Sequence, residues 1–171
     1  MLRIETLDKE HHRSDFDCGV PELNRYLKNI ARQHLNRGIS RTFVLVDDAV
    51  PTEITGFFTV AFCEVFVEKL PREYAKKYPH KAPAAKLARL AVAKERQRRG
   101  LGMHMLINAI ERVINVSNNL GIIGFFVDAK NNDAKAYYEQ FGFIPRPDRL
   151  LELFLPLATL RKACDTVSGH L

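Results

Sequence analysis

Two glycines separated by one residue lie in the segment 95–103, between an apolar stretch and a stretch with helical periodicity. Residues 87–92 have the character of a strand, and apolar side chains recur every three or four residues over 106–114. A helix start carries backbone N–H groups with no intrahelical partner and the positive end of the helix dipole. Gly100 and Gly102 lack a Cβ atom, so an anion can approach this backbone closely, and the segment is a candidate pyrophosphate cradle.

The glycine pair alone leaves a second interpretation open, because glycines before a helix also form ordinary turns. The segment lacks the Gly-Lys-Ser/Thr of a nucleotide P-loop and the third glycine of a dinucleotide-binding fingerprint. Arg98 and Arg99 add positive charge to it. A second motif is needed to decide between a pyrophosphate-binding segment and an ordinary turn.

The composition is that of a globular protein, with 46% hydrophobic and 27% charged residues in a chain of 171. We expect one domain over 1–171. No apolar run approaches the ~20 residues of a membrane helix, so we expect no membrane partner. The three cysteines, Cys18, Cys63 and Cys164, are far apart. They predict neither a disulfide framework nor a zinc site, and they fit a cytoplasmic protein.

The net charge of +6 is unevenly distributed along the chain. Residues 69–99 hold eleven Lys or Arg against Glu73 and Glu95, which gives +9 and leaves −3 for the remainder. A concentrated basic region favours a polyanionic partner. The alternative is that these basic side chains form a solvated face and contact only the phosphates of a cofactor.

Hydrophobic periodicity and turn residues predict one mixed sheet of about six to seven strands with helices on both faces, an α/β (α+β) fold. A tail is expected after residue 163. The predicted strands are 2–7, 41–46, 54–67, 84–94, 122–127, a short one after 141–144, and 150–155. The predicted helices are 21–35, 71–78, one from the glycine segment to about 118, 132–140 and 156–163.

In the strand before the glycine segment, the alternation of apolar side chains changes phase. Ala85 and Leu87 are apolar at odd positions, whereas Leu90 and Val92 are apolar at even ones. A β-bulge near 88–89 would produce this slip, splay neighbouring strands and free backbone groups for a ligand. A strand buried on both faces is the alternative.

A second motif lies about thirty residues after the first. Residues 131–143 have the form N-x-x-A-x-x-x-Y-x-x-x-G-F, which follows Q-x-x-G-x-G at 97–102. Together the two motifs resemble the GNAT superfamily of acetyl-CoA-dependent N-acetyltransferases over nearly the whole chain. The resemblance implies the GNAT fold, with a mixed sheet splayed by a β-bulge, and a reaction that needs no metal.

The resemblance also implies roles for individual residues. The glycine segment would bind the pyrophosphate of CoA, the preceding strand would pair with its pantetheine arm, and the motif asparagine would touch that arm. Tyr138 would be the catalytic residue beside the thioester sulfur, although a packed aromatic is the alternative, and Tyr137 is expected in the core. The implied acetyl-CoA contacts are Leu90, Ala91, Val92, Gln97, Arg98, Arg99, Gly100, Leu101, Gly102, Met103 and Asn131.

In this chemistry a neutral amine attacks the thioester carbonyl, and a strand N–H, that of Val92, stabilises the developing oxyanion. A phenol has a pKa of ~10 and a thiol has one of ~8.5. Full proton transfer from Tyr138 to the CoA thiolate would therefore cost roughly 2 kcal/mol. Tyr138 is therefore expected to act as a hydrogen-bond donor. The general base stays unidentified, with His80, His104 and Glu64 as candidates and water as an alternative.

A narrower resemblance concerns the substrate. Segments 16–27, 38–44 and 87–92 look like the GNAT toxins of type II toxin–antitoxin pairs (TacT-, AtaT- and ItaT-like), although those toxins usually carry Gly and Gln where this chain has Arg98 and Arg99. The resemblance implies acetylation of the α-amino group of aminoacyl-tRNA, a ribbon-helix-helix antitoxin, a homodimer, and DNA contact only through the antitoxin complex. The candidate tRNA-binding residues are Arg72, Lys76, Lys77, Lys81, Lys86 and Arg89.

Two other functions stay open. A GNAT enzyme of this kind could instead acetylate a protein N-terminus, a lysine or a small amine, although the basic surroundings disfavour polyamines because like charges repel. A catalytically idle GNAT fold that only holds CoA, or that serves mainly in a DNA-bound toxin–antitoxin assembly, is the other alternative.

Overall fold

The computed structural model describes residues 1–168, and no helix among them has both the length and the apolar character needed to cross a bilayer. These residues form both strands and helices. The strands are β1 (Leu2–Thr6), β2 (Arg41–Asp47), β3 (Gly56–Phe66), β4 (Lys81–Val92), β5 (Gly124–Asp128), β6 (Ile144–Pro145) and β7 (Glu152–Pro156). The helices are α1 (Pro21–Asn29), α2 (Ala31–Asn36), α3 (Arg72–Ala75), α4 (Leu101–Ser117), α5 (Asn132–Glu139) and α6 (Leu157–Ser168).

The strands form a mixed sheet in the order β1-β2-β3-β4-β5-β7-β6. β2 runs antiparallel to both β1 and β3, and β7 runs antiparallel to both β5 and β6. β4 and β5 are parallel, with Ala85 opposite Phe125 and Leu87 opposite Val127. A mixed α/β sheet of this size confirms the fold class predicted from the sequence.

The chain forms two compact units, and the first comprises Met1–Ala61 and Ala88–Ala109. Its core is apolar, and an edge-to-face contact joins Phe16 to Phe57, whose ring centroids are 5.4 Å apart. Tyr26 stacks against the same Phe57 ring. The buried residues of this core are Leu7, Phe16, Cys18, Tyr26, Leu27, Ala31, Val44, Val46, Ile54, Phe57, Ala91 and Ala93.

The second unit comprises Phe62–Leu87 and the described residues from Ile110 to Ser168. Phe126 and Phe154 stack at its centre with ring centroids 4.8 Å apart, and Tyr74 meets the edge of Phe154. The buried residues around this pair are Val65, Val67, Leu70, Ala82 and Ala84. The expectation of one domain over the whole chain stays a prediction.

The first predicted helix is interrupted. The sequence predicts one helix over 21–35, but α1 ends at Asn29, and Ile30 adopts φ −120° and ψ −40° before α2 begins. Ala31 is fully buried, whereas Ile30 is about one third exposed. Leu27 and Ala31, four residues apart, are both fully buried, so the apolar periodicity continues across the break and does not mark it.

Two predicted boundaries are wrong. Helix α3 ends at Ala75 rather than at Tyr78, and the N–H of Lys77 beyond it donates to the carbonyl of Tyr74, three residues earlier and not four, at 3.0 Å. Strand β4 begins at Lys81 and runs through Pro83, which was predicted to be a break. The carbonyl of Pro83 accepts a hydrogen bond from the N–H of Ile123 at 2.9 Å, so this proline still takes part in backbone pairing.

Strand β4 does change phase, but earlier than predicted. Its buried residues are Ala82 and Ala84 at even positions and then Leu87 and Ala91 at odd positions. The change therefore lies between Ala84 and Leu87, because burial depends on the neighbouring elements and not on side-chain polarity alone. The bulge near 88–89 itself stays a prediction. Helix α6 continues past its predicted end at 163 to Ser168, and the rest of the expected tail lies outside the described residues.

Gly124 allows a close approach between β5 and β7. A Cβ atom at this position would lie 2.3 Å from the carbonyl oxygen of Leu155. We expect Gly124→Ala to lower the free energy of unfolding by about 3 kcal/mol, because the strands would have to separate. Urea unfolding followed by circular dichroism measures this loss. Gly121→Ala is the control, since its Cβ would meet nothing within 4 Å, and an equal loss in both variants would contradict the explanation.

Candidate active site

The loop between β4 and α4 belongs to the first unit and bends sharply. After a single turn at Lys94–Arg96, Arg98 and Gly100 adopt positive φ angles of 63° and 77°. The left-handed conformation costs a residue such as arginine about 1 kcal/mol or more, and strain of this kind is concentrated at functional sites. The sequence did not predict this conformation for Arg98, because only glycine is expected to adopt it freely.

The N-terminus of α4 is open to a ligand. Gly100 precedes the helix and has no side chain with which to cap it, and a Cβ placed on it would meet nothing within 4 Å. Within the described residues, no side chain accepts a hydrogen bond from the N–H groups of Leu101, Gly102 or Met103. Arg98 and Arg99 are both exposed beside them. Free amides, the positive helix end and two cations suit a diphosphate.

Gln97 braces the loop by hydrogen bonds to two other parts of the chain. Its side-chain amide nitrogen donates to the carbonyl of Val92 and to the carbonyl of Cys18, both at 2.9 Å. One side chain thus joins the end of β4 to a turn that is 79 residues earlier in the chain. Sequence reasoning treated Gln97 as a cofactor contact and missed this bracing role, since no local pattern indicates so distant a partner.

The turn that Gln97 reaches is itself fixed. Asp17 accepts from the N–H of Gly19 and from the side-chain amide of Asn24, each at 2.9 Å, and its other carboxylate oxygen lies 3.4 Å from the ammonium of Lys94. These contacts hold the pKa of Asp17 below its usual value, with the Gly19 bond as the largest cause. Segment 16–27, which carried the resemblance to the GNAT toxins, therefore packs against the loop.

Other predicted cofactor contacts in this unit lie at the end of β4. Ala91 is buried, and Leu90 and Val92 are half-buried. Ala93 follows them, and its N–H donates to the carbonyl of Thr55 at 2.9 Å, which anchors the strand end. The predicted use of the Val92 N–H as an oxyanion donor stays a prediction.

Asn131 and Tyr138 belong to the second unit, at the two ends of α5. The side-chain oxygen of Asn131 accepts from the N–H of Ala134 at 2.9 Å and caps the helix. Asparagine is a favoured cap residue because it satisfies one of the free N–H groups of the first turn. The motif asparagine thus helps to position the helix that carries Tyr138, a role that the resemblance did not imply.

Tyr138 lies among aromatic rings. It makes edge-to-face contacts with Tyr137 and Phe143, at centroid distances of 5.6 Å and 5.5 Å, and it is only partly exposed. Burial, with a smaller effect of Tyr137, raises the pKa of Tyr138 to about 12. The phenol therefore stays protonated at neutral pH and can donate a hydrogen bond. Tyr137, predicted in the core, is also half-buried and contacts Phe141.

The predicted tRNA-binding residues fall into two groups. Arg72, Lys76, Lys77 and Lys81 are exposed in the second unit. Lys86 and Arg89 are half-buried and have partners of their own. The ammonium of Lys86 lies 2.9 Å from a carboxylate oxygen of Asp128, and the guanidinium of Arg89 lies 3.6 Å from the ring centroid of Tyr26.

The general base remains open among the candidates. His80 and Glu64 are exposed in the second unit, and Lys81 pairs with Glu64 at 3.2 Å. His104 is exposed on α4, in the first unit. Among the side chains that the structure describes, no three His, Cys, Asp or Glu come together in a group that could hold a metal ion.

Comparison with known proteins agrees with these features. Residues 5–143 match the acetyltransferase (GNAT) family. The chain is 32% identical over 148 residues to the tRNA-acetylating toxin of Mycobacterium tuberculosis, which covers 86% of this chain and 87% of that protein.

Three solved structures are similar over nearly the whole chain. A tyrosine-to-phenylalanine variant of KacT has a TM-score of 0.87 at 30% identity, and covers 94% of this chain and 98% of its own. AtaT complexed with acetyl-methionyl-tRNAfMet has a TM-score of 0.85 at 31% identity, and the match covers 95% of this chain and 98% of AtaT. An AtaT tyrosine-to-phenylalanine variant bound to acetyl-CoA and to the C-terminus of the antitoxin AtaR has a TM-score of 0.77 at 28% identity, with 95% and 97% covered.

The open helix end makes a prediction about cofactor binding. We expect Gly100→Glu to lower the affinity for acetyl-CoA by at least 100-fold, because a carboxylate would occupy the place of the phosphates. Isothermal titration calorimetry measures the affinity. Gly38→Glu is the matched control, since Gly38 also has a positive φ (71°) with nothing within 4 Å of a Cβ. Unchanged acetyl-CoA affinity in Gly100→Glu would show that the phosphates bind elsewhere.

Proposed function

Because this chain belongs to the GNAT family of acetyltransferases, we propose that it is a toxin that transfers an acetyl group from acetyl-CoA to the α-amino group of aminoacyl-tRNA and so blocks translation. The proposed substrate rests on the similarity, over most of both chains, to a tRNA-acetylating toxin. The structure of AtaT, which has a similar fold and was solved with acetyl-methionyl-tRNAfMet, supports this substrate.

The first unit would hold acetyl-CoA. The free N–H groups of Leu101, Gly102 and Met103, with Arg98 and Arg99 beside them, fit its diphosphate. Acetyl-CoA supplies an acetyl group that is activated as a thioester. The bracing of the loop through Gln97 fixes the direction of these N–H groups before any ligand binds, which reduces the ordering cost of binding.

The second unit would supply Tyr138 to the reaction. A neutral amine forms the new C–N bond, the C–S bond breaks with its electron pair on sulfur, and the proton lost by the amine nitrogen passes through water to the departing thiolate. With a pKa of about 12, the Tyr138 phenol lies about 3.5 units above a thiol of ~8.5, so full proton transfer to the departing sulfur would cost roughly 5 kcal/mol. Tyr138 therefore stabilises that sulfur by donating a hydrogen bond and keeps its proton.

The charge distribution supports a nucleic-acid substrate. Among the described residues, the exposed side chains of Lys69, Arg72 and Lys76 make no ion pair with a carboxylate, so they remain available for phosphates. Backbone phosphates dominate the affinity of proteins for nucleic acids. A tRNA is therefore a better match than a cationic polyamine, which these side chains would repel.

The proposal includes regulation by a partner. The neighbour AtaT binds the C-terminus of an antitoxin, and we infer that a ribbon-helix-helix antitoxin neutralises this chain in the cytoplasm. Contact with DNA would come only through that complex, and a homodimer is the expected state of the toxin.

Transfer to charged and deacylated tRNA distinguishes the proposed substrate from the other acceptors. With radiolabelled acetyl-CoA, we expect label on total charged tRNA and at least 100-fold less after deacylation, because the acceptor amine leaves with the amino acid. Equal labelling before and after deacylation would exclude the α-amino group. Label on protein N-termini, lysines or small amines, with none on tRNA, would favour the other GNAT substrates.

Removal of the Tyr138 hydroxyl tests the catalytic role. We expect Tyr138→Phe to lower kcat by about 100-fold or more, because the departing sulfur loses its hydrogen-bond donor, while the acetyl-CoA affinity changes less than threefold. Tyr137→Phe, which removes a hydroxyl from the neighbouring ring, should keep kcat within threefold. Undiminished growth arrest by Tyr138→Phe would instead favour a catalytically idle binding protein.

A further inference from the structure

The second half of β3 exposes two aromatic side chains on one face. Phe62 and Phe66 are 66% and 46% exposed, with Glu64 between them on the same face, since alternate residues of a strand point the same way. Val65, on the opposite face, is buried in the core of the second unit. Burying these two phenylalanine rings against a partner would be favourable, so their exposure calls for an explanation.

Basic side chains lie directly beside the Phe66 ring. The ammonium of Lys81 is 5.5 Å from the ring centroid of Phe66 and 3.2 Å from a carboxylate oxygen of Glu64. The ring of His80 meets Phe66 edge-on at 5.7 Å. The carbonyl of His80 accepts from the N–H of Val67 at 3.0 Å, which joins the two chain segments that carry these groups.

The surrounding segment is strongly positive. Residues 62–87 contain six Lys or Arg against three Glu, a net charge of +3, which is half of the net charge of the whole chain. Lys69, Arg72, Lys76 and Lys77 are exposed. Lys77 lies 5.5 Å from the ring centroid of Tyr74, so a second cation of the segment is also paired with an aromatic ring. Exposed rings among cations are typical of surfaces that bind single-stranded nucleic acid.

We propose that Phe62 and Phe66 form a stacking platform for unpaired bases at the 3′ end of the substrate tRNA, with the neighbouring cations binding its phosphates. The inference rests on the proposed function for the identity of the RNA. Bases within a duplex already stack on each other, so aromatic side chains recognise mainly unpaired nucleotides. The 3′ end of a charged tRNA is unpaired and carries the amine to be acetylated, so a platform that holds it would present that amine to the enzyme.

A second copy of the chain is the competing occupant of this face. In a two-fold symmetric dimer the same patch would face itself, which would bring the cations of 62–87 together from both protomers. Repulsion between them opposes such contact, whereas an RNA backbone neutralises the same charges. The charge of the segment therefore favours RNA.

Kinetics with matched variants test the platform. Phe62→Leu and Phe66→Leu keep an apolar side chain but remove the ring, and we expect each to raise the KM for charged tRNA about tenfold, with kcat and acetyl-CoA affinity unchanged. Phe62→Tyr retains a ring and should stay within twofold of the wild type. Leu120→Ala is the control for loss of an exposed apolar side chain, since Leu120 is 68% exposed, and it should leave the KM unchanged.

A binding measurement separates this inference from the proposed function. A four-nucleotide single-stranded RNA containing 2-aminopurine should lose fluorescence on binding the wild type, through stacking, and should lose much less with Phe62→Leu. If the wild type quenches this probe but does not acetylate tRNA, the platform stands and the proposed substrate fails.

Two results would overturn the inference. One is an unchanged KM and unchanged quenching in both leucine variants. The other is a fall in the molecular mass of Phe62→Leu, measured by light scattering, with no change in tRNA kinetics, since that would show an interface between copies of the chain.

Discussion

The side-chain amide of Gln97 braces the loop before α4, the segment proposed to bind the diphosphate. By donating to the carbonyls of Cys18 and Val92, it joins the end of β4, the turn before α1 and the loop before α4. A flexible loop would lose conformational entropy each time it ordered around a diphosphate, and the bracing removes much of that cost in advance. The strained backbone of Arg98 and the uncapped start of α4 can persist because this contact and the Asp17 turn hold the loop from behind.

The second unit uses burial for a different purpose. Tyr138 lies among aromatic rings that raise its pKa to about 12, so the residue suits hydrogen-bond donation and not proton transfer. Asn131 fixes the start of the same helix. Basic side chains and two exposed phenylalanines occur elsewhere in this unit and suit a large polyanion with unpaired bases. The chemistry proposed for the acetyl donor thus belongs mainly to the first unit, and that proposed for the acceptor belongs to the second.

Most of the fold could be predicted because most strands and helices have strong hydrophobic periodicity, although their boundaries were less certain from sequence. The errors occurred where the local sequence carries no signal of the outcome. The backbone leaves the helical conformation at Ile30 although the apolar periodicity continues to Ala31, and Pro83 lies inside β4, where its carbonyl accepts from the N–H of Ile123. The change of phase in β4 was foreseen but misplaced, since burial is set by neighbouring elements.

The sequence by itself determined the chemistry that is available. The motifs around Gly100 and Tyr138 resemble those of the GNAT acetyltransferases, and the concentration of lysine and arginine in 69–99 indicated a polyanionic partner. Only the tertiary structure decided which groups are free to act. It assigned Gln97 and Asn131 to internal hydrogen bonds, gave Lys86 and Arg89 partners of their own, and left Phe62 exposed. The physical reason is that availability depends on contacts between residues far apart in the chain, which one-dimensional spacing does not encode.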